Sequence, residues 1–182
     1  TFSFIWRRKS WQDGSVNKKV ERNYLEISSV KDLKNVEAHS NKYMVQFLKK
    51  PNYQINKFFY KNVGKKHHWI DRLSWTEKQW IEYTSSKKVR TFVLKENEDL
   101  AGYFEIIFHS EQNEVEIAYL GLLEEYQNKK LGSFLLSSAI KNSFSFDPKR
   151  VWVHTCSLDH KNALNNYISR GMKVFKKESI FI

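Results

Sequence analysis

The run Tyr126-Gln127-Asn128-Lys129-Lys130-Leu131-Gly132-Ser133 places amides, two adjacent cations and a glycine directly before an apolar stretch. A strand-to-helix turn of this make-up aims unpaired backbone N–H groups and the positive end of a helix dipole at one spot, the chemistry of an anion site. An ordinary loop with two solvated lysines has the same composition. Cys156, near His154 and His160, has the residue types of a thiol–imidazole nucleophile. A small buried thiol behind a core strand fits those residues as well. His67 and His68 are adjacent rather than four apart, so they do not share a helical face around a metal ion, and no metal site is expected. Trp69, Trp75 and Trp80, with Asp71 and Arg72 between them, could wall a pocket or pack as plain aromatics.

These residues need elements to position them. Asn23–Ile27 and Tyr43–Leu48 read as strands. Pro51 opens a helical pattern with Ile55, Phe58 and Phe59 on one face, and Gly64 stops it. Ser74-Trp75-Thr76-Glu77 has the pattern of a capping box for a short helix through about Tyr83. Val89–Lys95 and Leu100–Phe108 are strands joined by the polar turn Glu96-Asn97-Glu98-Asp99. Glu114–Leu122 alternates, with Val115, Ile117 and Tyr119 on one face and Glu116, Ala118 and Leu120 on the other. Leu131–Phe146 reads as a helix with Leu131, Leu135, Ala139 and Ile140 on its apolar side. Arg150–Thr155 is a strand, and the helix before it makes it a parallel partner of Glu114–Leu122. A last helix, His160–Arg170, ends at Gly171, and a closing strand runs from Val174 towards Ile182.

The 182 residues fit one compact domain, here residues 20–182 behind a polar, basic arm at 1–19. Hydrophobic residues at 41% and aromatics at 15% support a sizeable core and exclude global disorder. No apolar run is long enough to cross a bilayer, a single cysteine closes no internal disulfide, and a cytoplasmic location is expected. The net charge of +11 is uneven. Residues 1–90 hold 20 basic and 8 acidic side chains, and residues 91–182 hold 11 and 12. An anionic partner or a solvated lysine-rich surface accounts for this equally. The chain lacks the sequence patterns of the common nucleic-acid modules, so a nucleic-acid or ribosome partner is not expected.

From Glu114 to Met172 the chain resembles the GNAT superfamily of N-acetyltransferases. Their signature Gln/Arg-x-x-Gly-x-Gly/Ala falls on Gln127, Lys130 and Gly132, with Lys130 in place of the first glycine. A second signature, roughly Asn-x-x-Ala-x-x-x-Tyr-x-x-x-Gly-Phe, falls on His160, Ala163, Tyr167, Gly171 and Met172. Upstream, Phe59–Gly64, Trp69 and Ala101–Glu105 resemble a bacterial branch of unassigned substrate.

The resemblance implies an α+β fold: a mixed, mostly antiparallel central sheet flanked by helices, with one parallel strand pair at an acetyl-CoA site. It implies transfer of an acetyl group to an amine by direct attack in a ternary complex. Acetyl-CoA would be held by Gln127, Asn128, Lys129, Lys130, Leu131, Gly132 and Ser133, by the backbone of Leu120, Gly121 and Leu122, and by His160 and Asn162. Gly121 would let the pantetheine arm approach closely. Tyr167 would be the general acid and Glu116 the general base, with Glu105 in reserve. Trp69, Arg72, Tyr103 and Glu105 would contact a small-molecule acceptor. The basic first half and Arg72 together point to an acidic or zwitterionic amine. Lys130 motivates a second expectation, a module that binds CoA without turnover.

Overall fold

The computed structural model describes residues 19–181. Of the expected arm at 1–19, all but Lys19 lies outside the described residues. Lys19 itself opens the first strand, four residues before the expected start at Asn23. The chain then runs β1 (Lys19–Ile27), β2 (Tyr43–Phe47), α1 (Tyr53–Gly64), α2 (Glu77–Thr84), β3 (Val89–Glu96), β4 (Asp99–His109), β5 (Glu114–Leu122), α3 (Leu131–Ser143), β6 (Arg150–Cys156), α4 (Ala163–Ser169) and β7 (Lys173–Phe181). The strands form one sheet in the order β2-β3-β4-β5-β6-β1-β7. Every pairing is antiparallel except β5 with β6. The fold is therefore the mixed α+β sheet expected, with its single parallel pair in the expected place. The slot between β6 and β7 is filled by β1, from the other end of the chain.

One irregularity decides which residues face which layer. Glu105 pairs with Tyr119 and Ile106 with Ile117, so Ala118 is an extra residue in β5, a β-bulge. Side chains alternate with period two, and an inserted residue flips everything after it to the other face. The expected face of Val115, Ile117 and Tyr119 is thus broken. Tyr119 joins Glu116 on the face of Tyr103 and Glu105. There Tyr103 stacks on Phe59 of α1 at 4.7 Å, and Tyr119 meets Tyr60 of α1 at 5.2 Å. On the opposite face, Phe108 stacks at 4.8 Å on Phe146, in the turn that follows α3. The buried Leu131, Leu135, Leu136, Ala139 and Ile140 of α3 complete the core.

Helix boundaries follow caps more than periodicity. The side chain of Asn52 accepts from the N–H groups of Gln54 and Ile55 and starts α1. Phe59 is fully buried while Phe58, one step round the helix, is 42% exposed, which removes it from the expected apolar face. The capping box of α2 is Thr76 with Gln79, two residues later than expected. The helix α3 ends at Ser143, short of Phe146, and α4 starts at Ala163, not His160.

The layer of α1, α2 and their connecting loop is tied to the sheet by a buried charge. Glu105 of β4 is 0% exposed and Arg72 of the α1–α2 loop 4%. Arg72 Nη1 donates to Glu105 Oε2 at 2.8 Å. The Tyr83 hydroxyl of α2 donates to the same oxygen at 2.6 Å, and Asn56 Nδ2 of α1 donates to Oε1 at 2.7 Å. The Arg72 backbone N–H donates to the Tyr60 hydroxyl at 3.0 Å. Its guanidinium lies over the rings of Tyr83 (3.9 Å), Tyr119 (4.3 Å) and Trp75 (4.7 Å). Burial opposes the charge on Arg72, but the Glu105 carboxylate and the tyrosines around it outweigh burial and raise its pKa well above the ordinary arginine value.

Removing one partner of a buried ion pair leaves an uncompensated charge, at a cost of about 3–5 kcal/mol. Arg72→Ala and Glu105→Ala should each lose stability on that scale in urea denaturation. The double variant should lose much less than the sum of the two, because the second substitution removes the orphaned charge.

Candidate active site

β5 and β6 pair only over Glu114–Glu116 and Arg150–Trp152, and then part. Beyond that point β5 stays bonded to β4, and β6 to β1, on their outer sides. The backbone of Leu120, Gly121 and Leu122 therefore faces a slot rather than a neighbouring strand. Unpaired strand groups of this kind can hydrogen-bond an extended amide-bearing chain as a sheet pairs an added strand. The slot opens into a cleft of about 2680 Å³ that reaches Trp69, Glu116, Tyr119, Lys130, Tyr167 and His160.

The start of α3 stands at one end of the slot. Lys130 is its N-cap, with φ +60° and ψ +19°, and makes no side-chain cap bond. Asn128 is also left-handed, at φ +61°. Lys130 stands where the signature carries glycine, and it adopts the backbone that glycine favours. The first N–H groups of α3 are left uncapped, and the two lysines lie beside them. Asn166 of α4 braces this turn. Its Nδ2 donates to the Gly132 carbonyl at 3.1 Å, and its Oδ1 accepts from the Ser133 hydroxyl at 3.2 Å. Lys129 lies over the Tyr126 ring at 4.9 Å, and Gln127 is half-buried at the loop's entrance.

Gly121 has a different reason for being glycine than expected. A Cβ there would lie 2.3 Å from Val63 Cγ1, so the missing side chain admits α1 rather than a pantetheine arm.

Tyr167 of α4 is buried, and burial, with Asp159 second, holds its hydroxyl well above the ordinary tyrosine range. It keeps its proton at neutral pH. The Tyr167 side chain lines the cleft. The loop leading to α4 is held by Asp159, which accepts from the Thr155 hydroxyl at 2.6 Å and the Cys156 N–H at 2.9 Å. His160 accepts from the Asn162 N–H at 3.2 Å, and Asn162 is exposed. Burial, with the Asp159 charge, raises the Cys156 thiol, and burial lowers the His154 imidazolium. Such a thiol is the opposite of an activated nucleophile.

On the far side of the slot, Glu116 is half-buried and its Oε2 lies 2.9 Å from His109 Nε2. Trp69 meets Tyr119 edge-on at 4.8 Å. Three expected acceptor contacts are corrected. Arg72 has its guanidinium on Glu105 inside an aromatic cage, so it is not available to a ligand carboxylate. Glu105, with both oxygens occupied and no exposed surface, is a structural anion rather than a reserve base. Tyr103 is fully buried under Phe59 and touches no acceptor space. Sequence reasoning missed Asn56, Tyr83, His109 and Asn166, because a polar side chain's partner on another element leaves no local pattern.

A family model described as "Acetyltransferase (GNAT) family" matches residues 42–172. None of the curated proteins matches the chain. Among solved structures, a GCN5-related N-acetyltransferase from Sphaerobacter thermophilus is similar over 89% of this chain and 50% of its own, with 11% identity and a TM-score of 0.65. A conserved protein of unknown function from Staphylococcus epidermidis matches 89% of this chain and 60% of its own, with 18% identity and a TM-score of 0.61. The chain thus spans between half and two-thirds of the length of these two. A spermidine N-acetyltransferase from Vibrio cholerae, solved with CoA and spermine, matches 78% of this chain and 96% of its own, with 16% identity and a TM-score of 0.59. At these identities the structures establish the fold.

The left-handed Lys130 carries a strain of roughly 1–2 kcal/mol that glycine does not. Glycine returns about 0.5–1 kcal/mol of that as unfolded-chain entropy. Lys130→Gly should therefore raise stability by up to about 1 kcal/mol in thermal or urea unfolding.

Proposed function

The chain belongs to the GNAT family of acetyltransferases, and on that premise we propose that it transfers an acetyl group from acetyl-CoA to the amine of a small, cationic acceptor by direct attack in a ternary complex. The observation that carries this reading is the slot where β5 leaves β6, beside the uncapped start of α3. Acetyl-CoA, when bound, supplies an acyl thioester. The N–H groups from Asn128 to Ser133, with Gln127, Lys129 and Lys130, suit its phosphates. The backbone of Leu120, Gly121 and Leu122 suits its amide-bearing arm, with His160 and Asn162 on the other wall.

In this reading a backbone N–H of Leu120–Leu122 polarises the acyl carbonyl, as an oxyanion hole does. Glu116 takes the proton that the amine sheds as its nitrogen bonds to the acyl carbon; a lysine-like amine, with a pKa around 10.4, cannot attack while protonated. Tyr167 gives its proton to the sulfur as the carbon–sulfur bond breaks. The neutral amine gives up one proton and the sulfur gains one, so the site ends the cycle in the charge state in which it began once solvent exchanges them. An acceptor that arrives as an ammonium sheds its additional proton to solvent before attack.

The acceptor's charge is reassigned. Half-chain charge is a long-range, salt-screened quantity, and a pocket responds to what lies within about 10 Å. Among the described residues lining the cleft away from α3 and α4, Asp71, Glu82, Glu111 and Glu116 face Arg22, Lys88 and the neutralised Arg72. Arg22 in turn pairs with Glu178. That excess of carboxylates favours an amine carrying a second positive charge.

Acetyl-CoA should raise the melting temperature by mass action, and no shift at millimolar ligand would overturn the reading. A shift without thiol release from any amine tested would favour the CoA-binding module without turnover. Tyr167→Phe should keep the shift and lower kcat by about 10²–10⁴-fold, the usual worth of a general acid.

For the acceptor, steady-state assays should compare spermidine, a lysine-rich peptide and a panel of amino acids at two salt concentrations. A preference for spermidine that weakens as salt rises is expected. A preference for an acidic amino acid at low salt would return the acceptor to the anionic class.

A further inference from the structure

We propose that His109 is a positioning residue for this reaction: its Nε2–H holds one oxygen of Glu116 and so presents the other to the acceptor. The inference rests on the reading of Glu116 as the group that takes the acceptor's proton.

Glu116 is a long side chain on a cleft floor, and by itself it would sample several rotamers. Its Oε2 is 2.9 Å from His109 Nε2. A carboxylate can only accept, so the imidazole donates from Nε2, leaving Oε1 without a described partner. His109, at the end of β4, reaches across β5 and lies nearly parallel to Trp152 of β6, with planes 22° apart and centroids 6.0 Å apart. Trp152 is also the strand partner of Glu116. Carboxylate, imidazole and indole thus form one block over three strands, next to the point where β5 and β6 separate.

The second carboxylate on this face makes the contrast. Glu114 is bound by Arg150 at 2.9 Å and Lys149 at 3.5 Å, two permanent cations. Between them these cations engage both of its oxygens. Glu116 has a single histidine partner instead. The other charged and titratable groups around this block are Glu111 at the β4–β5 turn, His154 and Arg150 on β6, and, on β1, Tyr24, whose ring lies 6.4 Å from Trp152, and Arg22, which pairs with Glu178. None of them comes within hydrogen-bond distance of Glu116 in the described structure. An imidazolium at position 109 would hold the carboxylate against proton uptake, so activity should fall as His109 is protonated.

The test compares His109→Ala with His109→Gln, whose amide donates the same hydrogen bond without titrating. His109→Ala should lower kcat by about 10–100-fold, the range expected for a misoriented group. The KM for acetyl-CoA and the thermal shift it produces should be unchanged. His109→Gln should recover most of that loss and should show a flatter kcat–pH profile than the wild type. A His109→Ala rate within twofold of wild type, or a His109→Gln profile that declines as the wild type does, would overturn the proposal. So would a rate loss in His109→Ala that is matched by loss of the acetyl-CoA shift, since that marks a structural role. Glu116→Gln separates the two layers of argument: wild-type kcat in that variant would remove the base reading itself, whereas a slow Glu116→Gln beside a normal His109→Ala would remove only the positioning role.

Discussion

The carboxylate of Glu105 has no exposed surface, and it is the constraint around which the α1–α2 side of the cleft is arranged. An ionised group without water must be surrounded by donors. Here those donors come from three separate places: Asn56 of α1, Arg72 of the α1–α2 loop and Tyr83 of α2. Satisfying one anion therefore fixes the height and rotation of both helices over β4. Arg72, itself buried, needs the faces of Tyr83, Tyr119 and Trp75 around it, and those rings with Trp69 make the upper wall of the cleft. The wall is rigid because a charge stands behind it.

The floor depends on a second constraint, the extra residue in β5. The bulge at Ala118 turns Tyr119 toward the helices α1 and α2, and it lies where β5 stops pairing with β6. Two requirements of the site are met by that one insertion. A strand that pairs fully on both sides has no free backbone groups to offer, so the slot exists only because β5 keeps β4 and gives up β6. The insertion of β1 between β6 and β7 keeps β6 paired on its outer side and leaves the slot as the opening.

Much of this was legible in the residues. The order of strands and helices, the parallel pair and the strand-to-helix turn before α3 follow from period, turn chemistry and glycine placement, all of which act over a few neighbouring residues. Lys130 stands where the signature carries glycine, and the structure shows the chain taking positive φ there without one. Arg72 is the opposite case. Between tryptophans and beside Asp71 it reads as a ligand contact, and its true partner is 33 residues away on a strand that reads as apolar. Gly121 is intermediate, since the need for a small residue is visible but its cause, Val63 of α1, is not.

The sequence by itself determined the elements, the family and the chemical types at the site, because local propensity and short motifs carry that information. Tertiary structure alone decided which charges are free. Arg72 and Glu105 cancel inside the protein, Glu114 is taken by Arg150 and Lys149, and Glu116 is left with a histidine on the neighbouring strand. Charge acts through distance and burial, and neither is written along the chain. A basic half of the sequence can for that reason place carboxylates such as Asp71 and Glu82 in the lining of the cleft.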